Sequence, residues 1–263
     1  ERYMKAHAAS WKNSKHRQQW RNTLTQHAYP VFGGLLVRDV KLSHVMEVLE
    51  PLWETTNETA VRLRGRIELI LDWAAARGLR DGTNPARWRG HLDKLLAKPS
   101  KVNNRQHHAA VPLTEVGAFM ARLREAEGMG ARALEFAILT AARSGEVRGA
   151  TWAEIDTVAK VWTVPASRMK AGKEHRVPLS ADALALLKAL PRMAGTDYVF
   201  PAPRGGMLSD MTLTAVLRRM QAPAVPHGFR STFRDWAAER TNYPRDVAEM
   251  ALAHAIGNKV EAA

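Results

Sequence analysis

Between Asn57 and Arg77 the apolar side chains Val61, Leu63, Ile67, Ile70, Leu71 and Ala74 recur at helical spacing. Such a run commits the chain to a helix whose apolar stripe must be covered by other helices. The helix starts at Asn57 or Glu58, and Gly78 supplies its C-terminal stop. Neighbouring segments carry matching patterns. His16, Trp20, Leu24 and His27 step by three or four from Ser14 to about Tyr29, where Pro30 and Gly33-Gly34 break the run. Ser43 is a candidate cap for a helix through Val45, Val48, Leu49 and Leu52 to about Trp53. Asn84-Pro85 opens a shorter basic segment over 86–96 that holds Trp88, Leu92 and Leu95. Residues 1–98 therefore read as helical.

Residues 99–112 have no periodicity and no acidic side chain, and read as a linker. The pair His107-His108 lacks any partner motif and reads as polar linker rather than a metal site. Beyond it, Thr114 is a candidate cap for a helix to about Arg124, and 131–142 is an apolar helix that Arg143 follows directly. A short helix runs from Gly145 to Trp152. The period then changes: Val161-Trp162-Thr163-Val164 and His175-Arg176-Val177-Pro178-Leu179 alternate like strands, with a turn at Ala171-Gly172. Helices return over 181–190, from a cap at Ser209 or Asp210 to Met220, over 227–239 and over 244–253. The fold class expected is mainly α with a small antiparallel sheet: a helical domain over 1–98 and a mixed α+β domain over 113–263.

The charge narrows the partner. A net charge of +13 and a pI near 10.4 point to a polyanion, most often nucleic acid. The basic residues are scattered rather than gathered on one amphipathic segment, which argues against a membrane surface. No apolar run is long enough to span a bilayer. Lys15, Arg17, Arg21, Arg62, Arg64, Arg66 and Arg105 are the candidates for contacts to a DNA backbone. There is no cysteine, which excludes disulfides and cysteine-based zinc sites and fits a cytosolic chain. The first residues, Glu1-Arg2-Tyr3-Met4-Lys5, read as the middle of a longer protein.

Chemistry is concentrated in a few places. Pro226 precedes His227-Gly228-Phe229-Arg230, and a helix opening there sets His227 and Arg230 three residues apart on one face. Arg143 lies in the compact stretch Thr140-Ala141-Ala142-Arg143-Ser144-Gly145-Glu146, and His254 ends Leu252-Ala253-His254. Two arginines and two histidines suit a phosphodiester, whose charge builds during attack. Arginine stays protonated and offers a planar fork of donors. Histidine donates or assists proton transfer, and a lysine on a hairpin can protonate a leaving oxygen. By chemistry alone Lys170 and Lys173 are both eligible for that last role. No Walker loop, HExxH or acidic metal cluster is present, so neither a metal nor a nucleotide cofactor is expected.

Four ordered pieces carry a family resemblance. They are Ala142-Arg143-Ser144-Gly145-Glu146; Lys170 ahead of His175-Arg176-Val177-Pro178-Leu179-Ser180; His227-Gly228-Phe229-Arg230; and Leu252-Ala253-His254 followed by 257–263. The chain resembles the tyrosine recombinases, and within them the integrases of prophages and integrative elements. The resemblance implies a helical core-type DNA-binding domain over 1–98 and a tyrosine-recombinase catalytic domain over 113–263. It implies Arg143 and Arg230 as a phosphate clamp, His227 and His254 as further donors, and Lys170 rather than Lys173 as the proton source. Glu146 would orient the arginine pair without touching substrate.

The partners implied are double-stranded attachment-site DNA, further protomers in a tetramer on paired sites, and accessory DNA-bending or directionality proteins. The implied setting is the bacterial cytoplasm, at the nucleoid. The family's nucleophilic tyrosine stands a short way after the last histidine, which would place it just beyond Ala263. All four tyrosines here, Tyr3, Tyr29, Tyr198 and Tyr243, precede His254, and Tyr243 before Pro244 reads as packing. The expectation is a chain that binds DNA without cleaving it, while the intact enzyme acts through a 3′-phosphotyrosine intermediate. A type IB topoisomerase and a non-catalytic DNA-binding protein on the same scaffold remain alternative readings.

Overall fold

The computed structural model describes residues 1–11, 14–102 and 109–254 of the chain, which divides into two units, Glu1–Arg105 and Gln106–Ala263. In the first unit α1 (Arg2–Ala6), α2 (Ser14–Thr23) and α3 (Tyr29–Phe32) precede the packed pair α4 (Leu42–Thr55) and α5 (Asn57–Ala76), and α6 (Pro99–Val102) follows. Of the expected α5 stripe Leu63, Ile67, Leu71 and Ala74 are buried, with Ala60 beside them, whereas Val61 and Ile70 are half-buried. Val45, Leu49 and Trp53 of α4 pack in the same core, together with Trp20, Leu24 and Leu92. Gly78 adopts φ 64, a left-handed stop.

Three local expectations for this unit are corrected. Pro30 does not break the first long helix. A π-helical turn over Leu24–Ala28 leads into α3, with the Tyr29 N–H donating to Leu24 O. The wider turn removes the clash that a proline ring makes with the carbonyl four residues back, and the chain leaves the helix only at Gly33. Ser43 lies inside the first turn of α4 rather than capping it. The N-cap residue is Lys41, whose backbone N–H donates to Nδ1 of His44, three residues on, at 3.1 Å. Residues 86–96 form turns with one 3-10 segment, Leu92–Lys94, because Gly90 at φ 71 interrupts any helix.

The second unit contains α7 (Val116–Glu125), α8 (Met129–Thr140), α9 (Ser144–Arg148), β1 (Ile155–Asp156), β2 (Val161–Val164), β3 (His175–Pro178), α10 (Ala181–Ala189), α11 (Thr212–Arg219), α12 (Gly228–Arg240) and α13 (Arg245–Ala251). The three strands pair antiparallel in the order β1-β2-β3, with Trp162 opposite both Ile155 and Val177. β1 was not legible because two residues are too few to show alternation. The core gathers Leu123, Leu134, Phe136, Val147, Trp162, Phe200, Leu213, Leu217 and Phe229. This is the mainly helical fold with a small antiparallel sheet that the patterning implies.

Helix starts again differ in detail. Thr114 sits in a 3-10 turn, Leu113–Glu115, ahead of α7. Neither Ser209 nor Asp210 is the N-cap residue of α11, which begins after Met211. Ser180 does cap α10, its Oγ accepting the Ala183 N–H at 3.2 Å. The end of the stretch read as linker is bound into this unit. Val111 is buried in its core, Ala109 O accepts the Val225 N–H at 3.0 Å, and Val111 O accepts the Thr232 hydroxyl at 3.0 Å. His107, His108 and the earlier part of that stretch from Asn103 lie outside the described residues.

Candidate active site

α8 ends at Thr140, and Ala141 then takes the left-handed conformation at φ 50, so the chain turns sharply into Ala142 and Arg143. Arg143 therefore does not follow the helix directly but opens the next one as the N-cap residue of α9. Glu146, buried in the first turn of α9, accepts twice from this arginine: Oε2 from its backbone N–H at 2.9 Å and Oε1 from Nη1 at 2.8 Å. One carboxylate thus starts the helix and aims the guanidinium. The other arm of the fork reaches the chain just past α13, with Nη2 lying 3.3 Å from Ala253 O and 3.5 Å from Leu252 O.

Arg230 arrives from the first turn of α12 and is buried. Its Nη1 donates to Ala141 O, and its Nη2 donates to Leu252 O at 2.6 Å. Nη2 also stands 3.2 Å from His254 Nε2. Nε is buried and finds no acceptor among the described residues. Burial first, and then the neighbouring charge of Arg143, brings the Arg230 pKa down to about 10, which leaves it charged at neutral pH. The ion pairs with Asp235 or Glu239 that a surface arginine would make are not what hold it.

Glycine at 228 is required by packing. A Cβ there would lie 2.1 Å from Ala109 O and 2.9 Å from the Ala109 carbonyl carbon, so the motif's second residue is where the chain entering this unit crosses α12. His227 stands exposed in the turn before α12, and its carbonyl accepts the Arg230 N–H at 3.1 Å. Lys170 is exposed in the turn before β3. The base of its hairpin is tied to the arginine turn by Arg168, which donates to Glu146 O at 2.9 Å and pairs with the Glu154 carboxylate.

The structure thus brings Arg143, Glu146, Arg230 and His254 together around the carbonyls of Ala141, Leu252 and Ala253. It leaves His227 and Lys170 exposed, each in a turn of its own. Sequence reasoning missed Glu249 of α13, whose Oε2 lies 2.6 Å from His254 Nδ1 and whose Oε1 pairs with Arg234 Nε at 3.1 Å. An acid five residues ahead of a histidine at a helix end was the available signal. Arg168 gave no signal, since what ties it to the arginine turn is the backbone carbonyl of Glu146.

The basic set in the first unit divides. Arg17, Arg21 and Arg62 are exposed, the last two pairing with Glu1 and Glu58. Arg66 is 8% exposed and is a correction: it donates to Gln19 O at 2.9 Å and lies over Trp20, joining α5 to α2 from within. Arg64 is half-buried between Glu68, Ala86 O and the Trp88 ring. The Lys15 side chain and Arg105 lie outside the described residues, as do 257–263. Among the described residues no cluster of three metal-binding side chains is found, and no helix is long and apolar enough to cross a membrane.

Comparison with known proteins places this arrangement. Residues 1–91 match the phage integrase central domain, and residues 112–262 match the phage integrase family. The chain belongs to the phage integrase family. This is the family to which the four motifs pointed. Prophage integrase IntA of Escherichia coli (strain K12) is 32% identical over 253 residues, covering 93% of this chain and 59% of that protein. The integrase of Enterobacteria phage P4 is 29% identical over 270 residues, covering 94% of this chain and 60% of the relative. The chain thus spans about three-fifths of the length of these integrases. Among solved structures, a lambda integrase dimer bound to a COC′ core site superposes with a TM-score of 0.74 at 18% identity, covering 99% of this chain and 91% of that one. The Tn1549 transposon integrase in complex with transposon right end DNA gives 0.67 at 13% identity, covering 97% and 90%. At these identities the likeness is one of fold.

Proposed function

We propose that this integrase chain is the DNA-engaging and phosphate-activating part of a site-specific recombinase, acting on the core sequences of double-stranded attachment sites. The observation that carries the reading is the convergence of Arg143 and Arg230, from separate helices, on the carbonyl oxygens of Leu252 and Ala253, with His254 Nε2 3.2 Å from Arg230 Nη2. Groups that crowd guanidinium forks around neutral acceptors are better matched by a charged one, because a phosphate oxygen makes shorter and stronger bonds to arginine than a carbonyl does. The two arginines would neutralise the non-bridging oxygens as charge develops. His254 and His227 would donate to the same group, and Lys170 on its hairpin would protonate the leaving 5′ oxygen. Glu146 would keep the Arg143 fork aimed.

The attacking hydroxyl is not among the four tyrosines of the chain. Tyr3 is buried in the first unit, and Tyr29, Tyr198 and Tyr243 all precede α13 and His254. The nucleophile proposed here is a tyrosine other than these four, and the arginines and histidines described above would bind and activate the phosphate for it. In the whole protein its hydroxyl would form a 3′-phosphotyrosyl bond, and a 5′ hydroxyl of the partner duplex would later displace it. The bond energy stays in the covalent link, so the exchange needs no nucleotide. Pairing of two sites calls for four protomers, and accessory DNA-bending or directionality proteins fit that assembly. The lambda integrase tetramer bound to a Holliday junction has the same fold and supports this arrangement.

The test joins a tyrosine-bearing C-terminal segment to the chain and presents a nicked duplex carrying its site. A denaturant-resistant protein–DNA adduct is expected, lost by at least about a hundredfold in Arg143→Ala or Arg230→Ala while duplex binding persists. Tight duplex binding with no adduct would make the protein a DNA-binding scaffold instead.

A further inference from the structure

We infer that Glu249 is a positioning residue for His254, fixing which ring nitrogen faces the arginine pair; this rests on the phosphodiester reading for its purpose, though not for its geometry. The two nitrogens of His254 have different neighbours. Nδ1 lies 2.6 Å from Glu249 Oε2, and Nε2 lies 3.2 Å from Arg230 Nη2. A carboxylate only accepts, so Nδ1 carries the hydrogen of this pair. An arginine only donates, so in the neutral ring Nε2 presents its lone pair to Arg230. Both contacts specify the same tautomer. When Nε2 takes up a proton, its N–H points to where Arg143 and Arg230 converge, the place proposed for the phosphate.

Glu249 is itself held. Its side chain is 17% exposed, Arg234 Nε sits 3.1 Å from the other oxygen, and Arg245 approaches at 4.0 Å. The carboxyl is kept below its ordinary range, chiefly by the hydrogen bond to His254 and next by Arg234, so it is a carboxylate at neutral pH. The α13 backbone closes the arrangement. The His254 N–H donates to Glu249 O at 3.0 Å, and Ala253 at φ 48 makes the reversal that brings the ring back over its own helix end. Residue 249 thus touches His254 twice, once through each of its carbonyl and carboxylate groups. Neither hydrogen bond reaches Arg143 or Arg230; the carboxylate acts on Arg230 through its charge alone, an effect that Glu249→Gln removes while it keeps the acceptor for His254.

The experiment uses the 263-residue chain with nitrogen-15-labelled histidine, the His254 signals being assigned by their loss in His254→Gln. The parent protein is expected to show a protonated Nδ1 and an unprotonated Nε2 in the neutral ring. Glu249→Gln retains an acceptor and should keep that pattern, whereas Glu249→Ala should release the ring into a mixture of tautomers with the melting temperature held close to the parent's. Orthovanadate, a mimic of the five-coordinate phosphorus, should bind Glu249→Ala about tenfold more weakly and Glu249→Gln nearly as the parent does. An unchanged tautomer in Glu249→Ala overturns the inference whatever vanadate does. A changed tautomer with no vanadate bound by the parent leaves the positioning intact and removes the phosphodiester reading.

Discussion

Arg143 and Arg230 share an acceptor: both send an Nη2 to the carbonyl of Leu252, at 3.5 and 2.6 Å. Two like charges are drawn to one oxygen although Arg143 depresses the pKa of Arg230. Neutral carbonyls and the carboxylates of Glu146 and Glu249 offset this repulsion. An incoming anion is therefore favoured by both forks at once. Replacing Arg230 with lysine keeps a charge but not a fork, and cannot bond Ala141 O and Leu252 O together. Arg230→Lys is expected to lose most of the adduct formation of the tyrosine-bearing protein, by about a hundredfold, with duplex affinity within a few fold of the parent. Full activity in the lysine variant would show that charge alone suffices.

Removing Glu146 should loosen both the helix and the arginine. The carboxylate accepts from the Arg143 backbone and from its side chain, and is buried while doing so. Glu146→Ala is expected to cost about 1–3 kcal/mol in chemical denaturation, from the missing cap and the missing charge-assisted bond. It should also weaken vanadate binding, since Arg143 is no longer aimed. A variant as stable as the parent would contradict the double role.

Gly228 admits no side chain. With Ala109 O 2.1 Å from an added Cβ, Gly228→Ala must push the entering chain off α12 and with it the buried Val111. The expected loss is about 2–3 kcal/mol, read as a lowered denaturation midpoint. An unchanged midpoint would mean that Ala109 does not pack there.

Acid should loosen the end of α13. The Glu249 carboxyl is depressed below its ordinary value of 4.5, first by the hydrogen bond to His254. A carboxyl whose folded pKa is lowered stabilises the folded state fully above its unfolded value and loses that contribution as pH falls through the folded one. Amide exchange in 245–254 is therefore expected to accelerate below about pH 4.5, and Glu249→Gln should remove that part of the pH dependence. Identical profiles in parent and variant would show that the pair contributes nothing to this helix end.

How much was legible follows from the kind of partner each residue has. The stripe of α5 and the alternation of β2 and β3 are side-chain patterns, and each reads directly as burial. The spatial meeting of Arg143, Arg230 and His254 was legible from their motifs. What the arginines hold was not, because Ala141 and Leu252 contribute backbone oxygens whose direction depends on left-handed turns at Ala141 and Ala253. Arg66 was misread for the same reason: as a letter it is one more cation, and only the packing of α5 on α2 turns it inward. Helix starts were misplaced where the N-cap residue is not one of the usual capping types, Lys41 for α4 and Met211 for α11.

That correction makes a prediction for DNA binding. Arg66→Ala should destabilise the first unit by about 1–3 kcal/mol and leave duplex affinity unchanged at temperatures where it is folded. Arg17→Ala and Arg62→Ala should leave stability alone and reduce the slope of log K against log salt by about 0.9 for each phosphate that is no longer neutralised. A shallower slope in Arg66→Ala would return that residue to the interface.

The most direct measurement neutralises one phosphate at a time. Once footprinting has located the bound duplex, methylphosphonate replaces each backbone position in turn, and affinity is compared between the parent chain and Arg143→Ala/Arg230→Ala. The convergence described above predicts one position where the neutral linkage weakens the parent by about tenfold or more and leaves the double variant unaffected, because the partners of that phosphate are already gone. Losses that simply add at every position would show that the two arginines and the DNA backbone never meet.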